Sequence, residues 1–198
     1  MSTLTIEIPD WIEEAEERIG DRSLGGRERM RWTIELSRKS VESDSGGPFA
    51  AAVFDLAGRN LVAAGINLVE PSGLSVAHAE IVALMRAQRR EGTFDLSRGG
   101  DYELVASTEP CAMCLGAIPW SGVRSLRCGA LGKDAEAIGF DEGAKPESWE
   151  RALEERGIEV RRGILRKEAR SVLESYLRRG GRIYSPFPRE EPGSPGEG

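Results

Sequence analysis

The chain has 198 residues, of which 27 are Lys or Arg and 33 Asp or Glu, for a formal net charge of -6. That length suits one domain with a sizeable core, burying roughly 70% of the surface an unfolded chain exposes, and the negative balance argues against a surface that grips nucleic acid throughout. With 39% apolar and 30% charged residues and no stretch of bilayer-crossing length, a membrane-embedded chain is excluded and a soluble globular protein expected.

The opening Met1-Ser2-Thr3-Leu4-Thr5-Ile6-Glu7 lacks the basic flank and apolar run of a secretory signal, so a cytoplasmic protein is expected. Trp11 to Ile19 is acidic and weakly amphipathic and is broken by Gly20 to Gly26, so residues 1–26 read as an N-terminal extension, an appendage to the main domain. A helix is expected from Arg27 to Glu42, with Met30, Ile34 and Val41 on one face. Ser45, Gly46, Gly47 and Pro48 end it. Phe49 to Phe54 and Asn60 to Asn67 read as a hairpin whose turn, Asp55 to Arg59, gives Gly58 the φ > 0 position.

Glu70 to Ala77 contains Pro71 and Gly73 and reads as a loop leading to a helix that carries His78, Glu80, Ile81, Leu84 and Met85. Tyr102 to Ser107 is a third strand, and Pro110 suits the first turn of the following helix, where its missing N–H costs nothing. Val123 to Cys128 and Ile158 to Arg161 read as strands four and five, separated by a helix from Pro146 to Arg156 that Gly157 stops. A connection of that length containing a helix favours parallel pairing. The last helix, Lys167 to Arg179, shows Ala169, Val172, Leu173, Tyr176 and Leu177 on one face, and Pro186 to Gly198 has the composition of a disordered tail. The expected whole is a three-layer α/β/α sandwich on a five-stranded mixed sheet with strands 4 and 5 parallel.

The chemistry lies in two short segments. The single histidine, His78, sits in Ala77-His78-Ala79-Glu80, and Cys111 and Cys114 sit in Pro110-Cys111-Ala112-Met113-Cys114. Three cysteines cannot all pair, and the spacing favours metal ligands over a disulfide framework. The leftover Cys128 reads as a small buried residue. One imidazole and two thiolates suit Zn²⁺, and three protein ligands leave a coordination position for water, whose pKa then falls from 15.7 towards roughly 7. Helix beginnings at both segments favour thiolate over thiol, and Glu80 is placed to move protons. The alternative, a structural zinc knot, needs a fourth ligand, for which Cys128 is the soft donor left.

Ala77-His78-Ala79-Glu80 together with Thr108-Glu109-Pro110-Cys111-Ala112-Met113-Cys114-Leu115-Gly116-Ala117-Ile118 resembles the zinc-dependent cytidine deaminase-like superfamily, within it the branch of guanine deaminases and tRNA adenosine deaminases. The resemblance spans about Gly47 to Gly180 and makes residues 27–185 a zinc-dependent deaminase domain, flanked by the extension 1–26 and the tail 186–198. It implies one Zn²⁺ per subunit on His78, Cys111 and Cys114, with Glu80 as the proton shuttle. Asn67 matches an asparagine that bonds the substrate base, although its position also suits a plain turn, and Ala79 falls beside the substrate. Ala137 to Glu142 is similar to a guanine deaminase segment whose acidic residue assists proton transfer; Asp141 is the expected residue and Glu142 the reserve. Trp120 is read either as a wall of the base pocket or as core packing.

The implied activity is hydrolytic deamination of an amino-substituted N-heterocycle, guanine or a related nucleobase or nucleoside, with release of ammonia. The alternative is a tRNA adenosine-to-inosine deaminase, for which the stretch from Arg156 to Arg182 offers nine basic against three acidic residues, a local +6. A homodimer with pockets completed across the interface is also implied.

Overall fold

The structure is a computed structural model that describes residues 2–184. Five strands, β1 (Ala50–Asp55), β2 (Leu61–Ile66), β3 (Tyr102–Thr108), β4 (Ser125–Ala130) and β5 (Glu159–Arg161), form one sheet in the order β2-β1-β3-β4-β5. β1 runs antiparallel to β2 and β3, whereas β3, β4 and β5 are parallel. The mixed sheet and its parallel fourth and fifth strands are those the sequence predicts. The expected tail, 186–198, lies outside the described residues.

Helices cover both faces. On one side α2 (Gly26–Glu42) and α8 (Arg166–Arg178) bury Met30, Ile34, Val41, Val172 and Leu173. On the other, α4 (Ala79–Glu91), α5 (Ala112–Ser121) and α7 (Trp149–Glu154) contribute Ala83, Leu84, Ile118, Trp149 and Leu153. Gly65 of β2 lets α4 approach the sheet: a Cβ there would stand 2.6 Å from Ala83 N and 2.7 Å from Ala79 O, so any larger residue would lift the helix that carries Glu80.

The N-terminal segment is no appendage. α1 (Asp10–Ile19) buries Ile12, Ala15 and Ile19 in the same core as α2 and α8. Its Glu16 Oε1 accepts Ala64 N at 2.7 Å on the outer edge of β2, and Arg86 Nη1 of α4 donates to both Glu16 and Ala64 O. Arg90 adds a bond to Val62 O and another to Glu16. The free backbone groups of an edge strand are thereby occupied, which protects it from pairing with another chain. The helix is short and acidic, and beside its apolar stripe of Ile12, Ala15 and Ile19 a buried carboxylate does the anchoring.

Other differences are local. In the hairpin turn Arg59, not Gly58, takes the left-handed conformation (φ 59°), while Gly58 N and Ala57 N donate to the Asp55 carboxylate. Pro110 precedes α5, which starts at Ala112, rather than occupying its first turn. The connection between β4 and β5 contains a short helix the sequence pattern did not reveal, α6 (Gly132–Glu136), ahead of a shorter α7. A single turn, α3 (Val69–Ser72), lies within the loop before His78. Among the described residues no helix is long and apolar enough to cross a membrane.

Candidate active site

The carboxyl ends of β2, β3 and β4 and the start of β1 meet at one edge of the sheet. β2 delivers Asn67, β3 delivers Thr108 to Cys111, and the chain after β4 delivers Gly132 and then the segment to Lys145. α4 and α5 begin there, with His78 and Cys111 in extended conformation immediately before the first helical residue of each. Both helices therefore point their unpaired N–H groups, and the positive end of their dipoles, towards the same spot.

Donor atoms of His78, Cys111 and Cys114 all lie within 4.8 Å of one another, and His78 Nδ1 is 3.4 Å from Cys111 Sγ. The Cys111 thiol is brought down to about 4, chiefly by a hydrogen bond from Cys114, with His78 adding to it against the effect of burial. Cys114 goes the other way, because its proton is held by Cys111 and its surroundings are dry. Burial pulls the imidazole of His78 down, but the neighbouring Cys111 and Glu80 outweigh it and leave the group raised. A partly buried group of one imidazole and two thiols with converging donor atoms fits a zinc ion, which exchanges for the protons of its ligands. No fourth His, Cys, Asp or Glu joins this group among the described residues. Cys128 is buried elsewhere, within the core beneath α5 and α7, so the set matches a catalytic site with an open position and not a closed structural knot.

A cavity of about 410 Å³ opens beside these donors, with Asn67, Glu80, Glu109, Glu142, Phe140 and Tyr184 among its walls. Glu80 is buried, and loss of hydration, reinforced by the negative charge of Cys111, pushes its carboxyl up to about 7. Glu142 is buried as well and is likewise pushed up to about 7, chiefly by burial and against the pull of Lys145. Two carboxyl groups that titrate near neutrality thus face one cavity, the condition for proton transfer at physiological pH.

Both acidic neighbours line the cavity, but they differ in burial. Asp141 is exposed and its Oδ1 accepts Gly143 N at 2.8 Å, a local turn contact. Glu142, the reserve choice, is buried: its backbone oxygen accepts Ala112 N at 2.9 Å, and its carboxylate lies 3.3 Å from Lys145 Nζ. Trp120 is not a wall of the cavity and not core packing either: it is 82% exposed on the outer face of α5. Ala79 directs its methyl group into the core, while His78 and Glu80 on either side line the cavity. Asn67 is buried at the cavity wall, with Nδ2 donating to Tyr184 Oη at 2.6 Å and Oδ1 accepting Val69 N at 3.3 Å.

Sequence reasoning passed over Tyr184 and Lys145. Tyr184 follows the last helix, held over the cavity by edge contact with Phe140 (ring centroids 5.6 Å apart), and nothing in its neighbourhood marks it. Lys145 stands three residues after Glu142 and bonds it at 3.3 Å; the Glu-Gly-Ala-Lys spacing was the available signal. The basic stretch proves largely paired: Arg161 with Glu159, Arg162 with Glu109 and Glu150, Arg166 with Asp134, Arg170 with Glu174 and Arg182 with Glu70.

Residues 26–130 match the family described as the cytidine and deoxycytidylate deaminase zinc-binding region. A solved structure of a guanine deaminase from Nitrosomonas europaea superposes with a TM-score of 0.84 at 48% identity, over 90% of this chain and 98% of that one. Among curated relatives, the guanine deaminase of Bacillus subtilis is 33% identical over 129 residues, 65% of this chain and 80% of its own length. The tRNA-specific adenosine deaminase of Haemophilus influenzae is 31% identical over 163 residues, 80% of this chain and 86% of its own.

Proposed function

The chain belongs to the cytidine and deoxycytidylate deaminase family of zinc enzymes, and from that membership we propose that it hydrolyses the exocyclic amino group of guanine or a closely related amino-substituted base. The observation that carries this reading is the pair of buried carboxylates, Glu80 and Glu142, on opposite sequence segments of one cavity beside the His78, Cys111 and Cys114 donors. The extent of likeness supports it too: 48% identity across nine-tenths of the chain to a guanine deaminase, against 31% to a tRNA deaminase.

When bound by His78, Cys111 and Cys114, zinc supplies a water made nucleophilic at neutral pH. Glu80 takes one proton from the attacking water and delivers it to the ring nitrogen beside the amino-bearing carbon. It then takes the second proton from the hydroxyl left on that carbon and delivers it to the departing amine, so one carboxyl group serves twice in sequence. Guanine has a further proton to relocate on its amidine-like edge, and Glu142 is the group to hold it. Asn67 bonds the heteroatoms of the base through its carboxamide, exchanging the Tyr184 hydroxyl for substrate. Phe49 and Phe140 form the apolar walls, and Tyr184 over the opening keeps bulk water from the reacting atoms.

A homodimer is part of the proposal. α5 carries an exposed apolar face, Met113 and Trp120, and α4 adds the half-exposed Met85; aromatic and methionine side chains of this kind are enriched at interfaces. The tRNA reading draws on the curated relative and on the basic stretch. Five of those nine basic residues, however, have acidic partners within the fold, which leaves little excess charge for phosphate contacts.

The test is ammonia release from guanine, guanosine, adenosine, cytosine, cytidine and tRNA by zinc-loaded protein. Guanine or another free aminopurine is expected to turn over fastest. Release from tRNA alone would replace this reading with the tRNA one.

A further inference from the structure

We propose that Lys145 is a positioning residue of this active site, clamping the Glu142 carboxylate to the loop that delivers two of the three metal ligands. The inference rests on the reading of Glu142 as the second proton carrier.

Lys145 Nζ is 3.3 Å from Glu142 Oε2 and 3.1 Å from the carbonyl oxygen of Pro110, the residue immediately before Cys111. One ammonium group therefore joins the carboxylate to the ligand loop. Both partners are shielded, with 14% of the Lys145 side chain and 7% of that of Glu142 exposed, so this pair escapes the solvent screening that weakens surface ion pairs. The segment between α6 and α7 has no regular structure to hold it, and Gly139 and Gly143 adopt left-handed φ values on either side of Glu142. Its backbone is pinned at Glu142 by Ala112 N, but that bond leaves the side-chain torsions free. What fixes the carboxylate is the cation.

Gly132 supplies an independent view of the same contact. A Cβ at that position would stand 2.7 Å from Lys145 Nζ, with Glu109 Oε2 at 3.5 Å and Glu142 Oε2 at 3.7 Å. Its backbone is outside the left-handed region, so alanine is conformationally acceptable there. The ammonium fills the space that glycine vacates, and a methyl group would displace the flexible end of Lys145 while leaving its charge in the protein.

The test is a double-mutant cycle on the zinc-loaded enzyme, with metal content measured for every variant. Lys145→Met is expected to keep one zinc per chain and a KM within about threefold of wild type, and to lower kcat about 10- to 100-fold, the scale of a misplaced reacting group. Lys145→Arg should recover most of that loss, since it restores a donor to both oxygens. Gly132→Ala should lower kcat in the same direction and keeps the proposal testable if Lys145→Met does not fold. In a Glu142→Gln background the Lys145→Met change should add less than about threefold, because coupled residues are not additive. Full kcat in both Lys145→Met and Gly132→Ala would overturn the proposal, as would an undiminished Lys145→Met effect in the Glu142→Gln background. Should Glu142→Gln alone keep full turnover, the reading of Glu142 itself falls, a result distinguishable from a failure confined to Lys145.

Discussion

Asn67 Nδ2 donates to Tyr184 Oη at 2.6 Å across 117 positions of sequence, so the group read as the base-binding amide is engaged by the chain's own last described residue. The contact is exchangeable, one neutral hydrogen bond for another. Asn67→Ala is therefore predicted to raise KM for the base on the order of 10-fold or more, the scale of a lost hydrogen bond with a polar edge left unpaired. Tyr184→Phe, which removes only the hydroxyl, should stay within about threefold of wild type by the same arithmetic. Steady-state kinetics on both variants checks the pair, and an unchanged KM in Asn67→Ala would remove Asn67 from the binding role.

Glu142 gives a pH dependence of stability whose sign can be worked out. Its carboxyl is raised from 4.5 to about 7, chiefly by burial, with Lys145 opposing. A carboxyl raised on folding favours the native state while protonated in both states, below the unfolded value. That contribution is lost as pH rises through the folded one. Metal-free Glu142→Gln should therefore unfold at a higher temperature than metal-free wild type at pH 8, by a margin on the order of 3 kcal/mol at most, and the margin should close by pH 5. Thermal melts across that range provide the check; a margin that grows towards acid contradicts it.

Anchoring of the N-terminal helix is concentrated in one carboxylate. Glu16 bonds Ala64 N, Arg86 and Arg90. Glu16→Ala leaves Arg86, mostly buried, with only the looser Glu13 ion pair at 3.6 Å; breaking a buried pair costs about 3–5 kcal/mol. Chemical denaturation should show a drop of that size, and a deletion of residues 2–20 should be at least as destabilised. Wild-type stability in the deletion would restore the view of this segment as a detachable extension.

Trp120 exposes 82% of its surface. If the proposed homodimer uses this face of α5, wild-type protein sediments as a dimer and Trp120→Glu as a monomer, with near-native circular dichroism in both. A Trp120→Glu dimer as tight as wild type would put the interface elsewhere.

Much of the architecture was legible because it rests on local pattern. Short apolar runs bounded by turn residues mark β1, β2 and β3, 3.6-period apolar positions mark α2 and α8, and the long helix-bearing connection between β4 and β5 favours parallel pairing. The metal donors were legible because soft ligands at that spacing have few other uses. What escaped depends on contacts distant in sequence. α1 is held by a buried carboxylate on a strand edge 48 residues away, which no hydrophobic pattern encodes. Asp141 and Glu142 differ in burial through contacts to Ala112 and Lys145, and neighbouring acids look alike until those contacts are known. Trp120 is an apolar residue on a helix surface that pattern alone assigns to the inside.

The central claim is that Glu80 moves protons for a nucleophile prepared beside His78, Cys111 and Cys114. Ammonia release by wild type and Glu80→Gln, loaded with zinc to the same measured content, tests it most directly. The account predicts one zinc per chain in both and a loss of turnover on the order of 10³-fold in the variant. Equal turnover at equal zinc would contradict it.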